Sequence, residues 1–297
     1  MSAVTPHRLH AAVGAGLTAL VGGARRLLKT PLGALGLFLV ALVVFAAMFA
    51  DVIAPYDPLA INVPARLVPP NWDHWLGTDQ LGRDLFSRML KGAQIALTVT
   101  VTSITISLGV GLVLGLAAGY GPRWLDQGAV LLFDTVRSFP TIMFALAVVA
   151  LTGPSLQTII LIIVITTFPV YGRVVRTQTQ AIRNNEFVLA ERSMGAGPLR
   201  VLGVHILPNI IGPLLIMASM DVPIVITIEA GLSFLGLGVR PPTPSWGSML
   251  NDGYSFIRNS SWPVIAGGVP LILTTLGFTF LGESLRDVFD PKLRRDV

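Results

Sequence analysis

The sequence predicts an all-α integral membrane protein with six transmembrane helices, and three observations carry that prediction. Charged residues make up only 12% of the chain and hydrophobic ones 53%, whereas a soluble domain carries about 25% charged residues. Three stretches, 32–50, 95–119 and 262–282, hold no charge at all, and each is close to the roughly 20 apolar residues that cross a bilayer core. Basic residues are divided unevenly between the loops. With the N-terminus on the cytoplasmic side, fifteen of the 21 Lys and Arg residues lie inside and six outside, the arrangement favoured by the positive-inside rule. An even number of spans then returns the C-terminus to the cytoplasm.

In chain order, 1–30 reads as an Ala/Gly-rich cytoplasmic lead and 31–50 as the first transmembrane helix. That apolar run exceeds the usual 7–15-residue core of a signal peptide, and Met48-Phe49-Ala50 makes a poor small-x-small cleavage site, so the span is expected to be retained. The extracytoplasmic loop 51–94 carries Pro55, Pro58, Pro64, Pro69 and Pro70, which favours extended segments over one long helix. The transmembrane core occupies 95–283. In its first span, Gly111, Gly115 and Gly119 recur four apart, laying bare backbone on one helix face for close packing. The third span, 128–151, is interrupted by Asp134 and Arg137, which leaves 139–151 as its apolar part; the fourth, 156–171, is short and contains Pro169. A polar cytoplasmic segment, 173–205, divides the core. The fifth span, 206–232, contains Pro213, Asp221, Pro223 and Glu229. A second outer loop, 233–261, leads to the last span and a polar, basic cytoplasmic tail, 284–297.

Composition narrows the function classes. The pI near 10.1 follows from basic inner loops facing anionic lipid; the concentrated basic and aromatic surface of a nucleic-acid binder is missing. Lipid is therefore an expected partner and nucleic acid is not. There is no cysteine, and none of His7, His10, His74 and His205 sits in an uncharged span, so no metal site or histidine relay is expected. The three lysines, Lys29, Lys91 and Lys292, do not follow G-x-x-x-x-G, so the chain has no P-loop. No Ser-His-Asp or paired-carboxylate constellation appears, and no catalytic residue is assigned. Asp221 and Glu229 lie eight apart, two helical turns, too far for a tight acid dyad. Acids within spans usually face the bundle interior or water. Both are candidates for a substrate path, with Arg240 an alternative partner for Glu229. Asp79 and Asp84 flank Arg83. They read either as an outer docking or gating surface or, more simply, as an ion-pair and turn network that shapes the loop.

The polar interruption is the most informative stretch: "EFVLAERSMGAGPLRVLGVHILPN", 186–209. Residues 183–194 read as a helix with Phe187, Ala190 and Met194 on one face, Glu191 at its border, and Glu186 and Arg192 off it. Gly195-Ala196-Gly197-Pro198 stops it. A second short helix, 199–206, leads to Pro208 and the fifth span. An apolar stripe inside a charged rim suits a groove on a soluble partner or a membrane surface; the residues alone leave both open.

Here a resemblance enters. The pattern Ala-x4-Gly-x9-His-Ile-Leu-Pro, from Ala190 through Gly195 to Pro208, resembles the cytoplasmic EAA loop of ATP-binding cassette importer permeases. The wider string is similar to that loop in the dipeptide/oligopeptide/nickel permease family. "HWLGTDQLGRDLFSRMLKGAQIAL" (74–97), "LSFLGLGVRPPTPSWGSML" (232–250) and "LGESLRDVFDPKLR" (281–294) resemble three further stretches of that family's C-type subunit. The resemblance implies that the loop docks on an ATPase subunit through Glu186, Ala190, Glu191, Gly195 and Pro208, with Phe187, Met194 and His205 in the same loop. The family has Glu-Ala-Ala before x-x-x-Gly, whereas this chain has Leu189-Ala190-Glu191, so the glutamate is shifted. Trp246, in the second outer motif, joins Asp79, Arg83 and Asp84 as a candidate for the outer gate or for docking a binding protein.

The resemblance implies a type I importer, MetI-like permease fold and a subunit that translocates di- or oligopeptides across a bacterial cytoplasmic membrane. It implies a second permease, two ATPase subunits or domains holding ATP and Mg, and an extracytoplasmic peptide-binding protein. This chain would hold no cofactor. The motifs leave nickel chelate or another small solute open as cargo. An ATP-independent secondary transporter also stays open, although no repeat around a midplane ion site is visible.

Overall fold

A computed structural model describes residues 30–289. The cytoplasmic lead before Thr30 and the tail residues 290–297, including the end of the fourth motif, lie outside the described residues. The described chain is helical, without strands. Its elements are α1 (Pro31–Met48), α2 (Ala50–Ile53), α3 (Leu85–Tyr120), α4 (Arg123–Ser138), α5 (Thr141–Thr152) and α6 (Leu156–Arg183). They continue with α7 (Glu186–Ser193), α8 (Pro198–Arg200), a π-helical turn (Val201–Ile206), α9 (Leu207–Phe234), α10 (Trp246–Ser255) and α11 (Trp262–Phe289). Five helices are long and apolar enough to cross a membrane, and α4 with α5 supplies a sixth, broken span.

Local chemistry explains the boundaries. Asp84 caps α3, accepting from the Ser87 N–H at 2.8 Å and its hydroxyl at 2.7 Å. This starts the helix ten residues before the apolar run, so 85–94 is helix rather than loop. At 36 residues α3 is about 54 Å long and must project beyond a hydrocarbon core of about 30 Å. Ser155 caps α6 and Ser245 closes a capping box with Ser248 at α10. The third span is not one helix. Proline disfavours helical backbone in the residue before it, and Phe139, before Pro140, is extended at φ −83°, ψ 129°. The chain turns by 87° between α4 and α5.

Packing follows the glycine face. Gly111, Gly115 and Gly119 of α3 lie so close to Tyr171, Val175 and Thr179 of α6 that an added Cβ would come within 2.6 Å of each. Helix α4 is tied to α6 by Asp126 with Arg176 and Gln180, and by Asp134 with Arg173; the Phe133 ring rests on Gly172. One apolar core joins α3, α6 and α9 with the cytoplasmic segment through Val188, Val201 and Ile206. The other joins α1, α3, α9, α10 and α11 around Trp246. Prolines 169, 213, 223 and 270 all sit inside continuous helices, so Pro223 does not open the fifth span beside Asp221.

Candidate functional site

The polar segment that divides the core folds as a hairpin that stands on the ends of α6 and α9. Helix α6 runs on to Arg183, so the first part of the polar segment extends the fourth span. Asn185 then begins α7, with Glu186 in its first turn, where a negative charge favours the helix dipole. Gly195 ends the hairpin's first arm at φ 86°, a left-handed conformation that glycine adopts without penalty. The second arm is no separate helix: α8, the π turn and α9 run on as one apolar helix, Pro198–Phe234. Pro208 sits in the first turn of α9, where proline is tolerated, and the π turn immediately before it absorbs the local irregularity.

Val188 is buried and anchors α7, while Phe187, Leu189, Met194 and Leu199 are exposed, Leu199 at 86%. The expected stripe of Phe187, Ala190 and Met194 faces outward. Glu191 turns inward. Its Oε1 lies 3.4 Å from His205 Nε2 and its Oε2 lies 3.9 Å from Arg200 Nε. The Phe187 and His205 rings lie 6.1 Å apart. Glu191 and His205 therefore brace the two arms, while the exposed apolar side chains and Glu186 face outward. Leu189 and Leu199 were missed in the sequence because an apolar residue beside a glycine-proline break reads as packing.

On the opposite side, the candidates Asp79, Arg83, Asp84 and Trp246 are all buried, at 5% exposure or less. Asp79 accepts from the N–H groups of Leu81 (2.8 Å) and Arg83 (3.0 Å) and from Arg83 Nε at 2.6 Å. Asp84 caps α3 and meets His74 Nδ1 at 2.9 Å. Trp246 Nε1 donates to the Met89 carbonyl at 3.0 Å, and its ring fills the space left by Gly92. These side chains brace an outer cap. Their burial fits the ion-pair and turn network that shapes the loop, the simpler of the two readings of these residues.

The two intramembrane acids part company. Asp221 lines an open cleft of about 570 Å³ together with Arg137, Thr141, Thr167 and Arg173, beside the break in the third span. Glu229 is fully buried and accepts from the Ser233 hydroxyl at 2.7 Å. Eight residues of helix rotate it by about 80° from Asp221. The cleft stripe Asp221, Ile224, Val225, Ile228 leaves it facing the bundle, away from this cleft. It has no ion pair with Arg240. Arg137, Arg173 and Tyr171 escaped the sequence reading; an arginine interrupting an apolar run was the available signal.

A family model described as the inner membrane component of binding-protein-dependent transport systems matches residues 111–295. The chain belongs to this family. Residues 21–70 match a second model, the N-terminal transmembrane domain of oligopeptide transport permease C. The dipeptide transport system permease protein DppC of Alkalihalophilus pseudofirmus is 38% identical over 91% of this chain and 89% of its own length. The di/tripeptide permease DppC of Pseudomonas aeruginosa is 40% identical over 88% and 89%. The nickel permease NikC of Escherichia coli K12 is 37% identical over 87% and 94%. A chain of the MetNI methionine ABC transporter, solved in an inward-facing conformation, superposes with a TM-score of 0.56 over 68% of this chain and 97% of that one. At 19% identity this shows the fold alone. The protein is thus a multi-pass permease subunit of an ATP-binding cassette importer, a transporter component working with ATPase partners. The hairpin leaves apolar side chains uncovered, and the cleft is a partly polar concavity between α4, α5, α6 and α9.

Proposed function

We propose that this permease carries di- or oligopeptides inward, paired with a second, similar permease, and that two ATPase subunits holding ATP and Mg dock on the α7 hairpin. An extracytoplasmic peptide-binding protein delivers the cargo to the outer face. Both termini lie in the cytoplasm, as the distribution of basic residues favours. The observation that carries this reading is the hairpin. Phe187, Met194 and Leu199 are exposed on an arm whose Val188 and Ile206 are built into the membrane core. A partner that grips the arm therefore pulls on α6 and α9 together. Coupling requires the ATPase to contact this arm differently in its open and closed states, because a ligand shifts an equilibrium only by its differential affinity.

A second reading, nickel chelate as cargo, is favoured by the similarity to NikC. The experiment is purification of the tagged chain with its companions from native membranes, followed by reconstitution in liposomes. Recovery of an ATPase and a second permease, with ATP-dependent dipeptide uptake, supports the peptide reading. ATP-dependent nickel uptake without peptide uptake replaces it with the second reading. Recovery of this chain alone, with uptake indifferent to ATP, overturns the assembly proposed.

A further inference from the structure

We infer that the cleft beside the broken third span is a charge-matched transit site for a zwitterionic solute, with Arg137 receiving a carboxylate and Asp221 an ammonium group. This rests on the importer reading above and adds residues that recognise the two ends of the cargo.

The argument begins with an imbalance of partners. Charged side chains at the edge of a membrane span pair with one another or face water, and Arg137 is exposed where it borders the cleft. Arg173 pairs with Asp134 and Arg176 with Asp126, so both acids of α4 are already engaged. Arg137, in the last turn of α4, has no ion-pair or hydrogen-bond partner among the described residues. Across the cleft on α9, Asp221 faces the Tyr171 hydroxyl, its Oδ2 lacks a donor, and no cation stands within ion-pair distance among the described residues. The site thus offers one unmatched cation and one unmatched anion on different helices.

The space between them suits a small organic ion. Its volume of about 570 Å³ lies within the roughly 300–1,000 Å³ usual for small-molecule sites. Thr141 and Thr167 supply hydroxyls, while Val225 and Ile228 supply an apolar wall. The 87° break at Phe139-Pro140 places helix ends at the cleft, the arrangement tolerated within a membrane where backbone lines a cavity. A guanidinium grips a carboxylate through two parallel hydrogen bonds. A short peptide carries a carboxylate at one end, an ammonium at the other and side chains between. A carboxylate chelate of a metal would engage Arg137 and leave Asp221 unmatched.

The test uses the complete importer in proteoliposomes, with a radiolabelled dipeptide loaded on its binding protein. Arg137→Gln and Asp221→Asn should each lower the peptide moved per ATP hydrolysed by about tenfold, the scale of a lost charge-assisted hydrogen bond. Arg137→Lys should recover part of the loss. Half-saturation by the loaded binding protein should not move, because docking occurs on the outer face. Co-purification of the ATPase checks assembly of each variant. A photoreactive residue in place of Ile224, which lines the cleft and is 57% exposed, gives an independent readout in a chain that keeps both charges. It should capture labelled peptide only during turnover.

Wild-type peptide yield per ATP in both charge variants would overturn the inference and leave the importer reading standing. So would capture of the second permease alone at position 224. A wild-type importer that moves nickel chelate but no dipeptide would remove the peptide reading and this inference with it.

Discussion

At the outer end of the core, Asp79 accepts two backbone N–H groups and the Arg83 guanidinium while almost wholly buried. In the hairpin, Glu191 stands 3.4 Å from His205 and 3.9 Å from Arg200 with nearly a quarter of its side chain exposed. Around Asp79 the charges are buried and paired, and Trp246 is sealed against Gly92, while Ile61, Val63, Trp72 and Trp75 of the preceding loop stay exposed. The hairpin leaves Phe187, Leu189, Met194 and Leu199 uncovered. The two charge clusters differ in burial, one sealed and one open to solvent. On the coupling proposed above, a substitution in the Asp79 cluster should read out as stability and one in the hairpin as coupling.

The largest effect is expected in the cap. Asp79→Ala takes the nearest carboxylate from Arg83 and Arg88, both 5% exposed or less, leaving Arg83 only Asp252 at 3.6 Å and Arg88 only the Pro58 carbonyl among the described residues, and removing one partner of a buried pair costs about 3–5 kcal/mol. Folded protein in membranes and its melting temperature in detergent should both fall sharply. A variant with wild-type melting and reduced uptake would mean that Asp79 acts in docking after all.

In the hairpin the order reverses. Gly195→Pro meets no steric obstacle from neighbours, but proline holds φ near −65° where the chain needs 86°, and it deletes the N–H that bonds the Arg192 carbonyl at 3.0 Å. The arm should re-aim. Misplacing a functional group by about 1 Å can cost on the order of a hundredfold, so uptake should fall by about that factor with the protein still at normal levels in the membrane. ATP hydrolysis should continue without transport. Normal uptake would sink the assignment of this loop to coupling. One step smaller, Phe187→Ala truncates an exposed aromatic, the residue type that anchors interfaces at about 2 kcal/mol. Recovery of the ATPase on a tagged permease should drop by more than tenfold, while melting stays put.

How much of this was legible depended on the range of the forces involved. The three uncharged spans, the Gly111-Gly115-Gly119 face and the stop at Gly195 follow from composition and local backbone rules, and each stands in the structure. The 87° break was half visible. Pro140 was in view, but the apolar run 139–151 masked the turn that proline imposes on Phe139. The early start of α3 depended on Asp84 acting as a cap rather than as a surface charge. Asp221 and Glu229 looked equivalent along the chain, and only the packing of α9 sends one to the cleft and the other to the Ser233 hydroxyl. Arg137 gains meaning only when Asp134 is seen paired with Arg173. Pairings across tens of residues leave little periodicity for a single sequence to display.

The smallest effect concerns Glu191, and its size separates two roles. If the shifted glutamate contacts the ATPase directly, Glu191→Gln removes an interface charge, and ATPase recovery should fall with no dependence on Arg200. The structure instead points Glu191 at His205 and Arg200, on the arm that continues into α9. Partly exposed pairs at 3.4–3.9 Å are worth about 0.2–1 kcal/mol, roughly a 1.4-fold to fivefold change in an equilibrium. Glu191→Gln should therefore reduce uptake per ATP by only that much. Arg200→Gln should do the same, and the double variant should be no worse than either single one. A double-mutant cycle on purified, reconstituted importer measures this. Additive losses would show that the two residues act apart and would move Glu191 to the ATPase interface. A non-additive, modest loss would mean that Glu191 keeps the docking arm and the fifth span moving as one piece. The exposed apolar side chains around it then supply the grip.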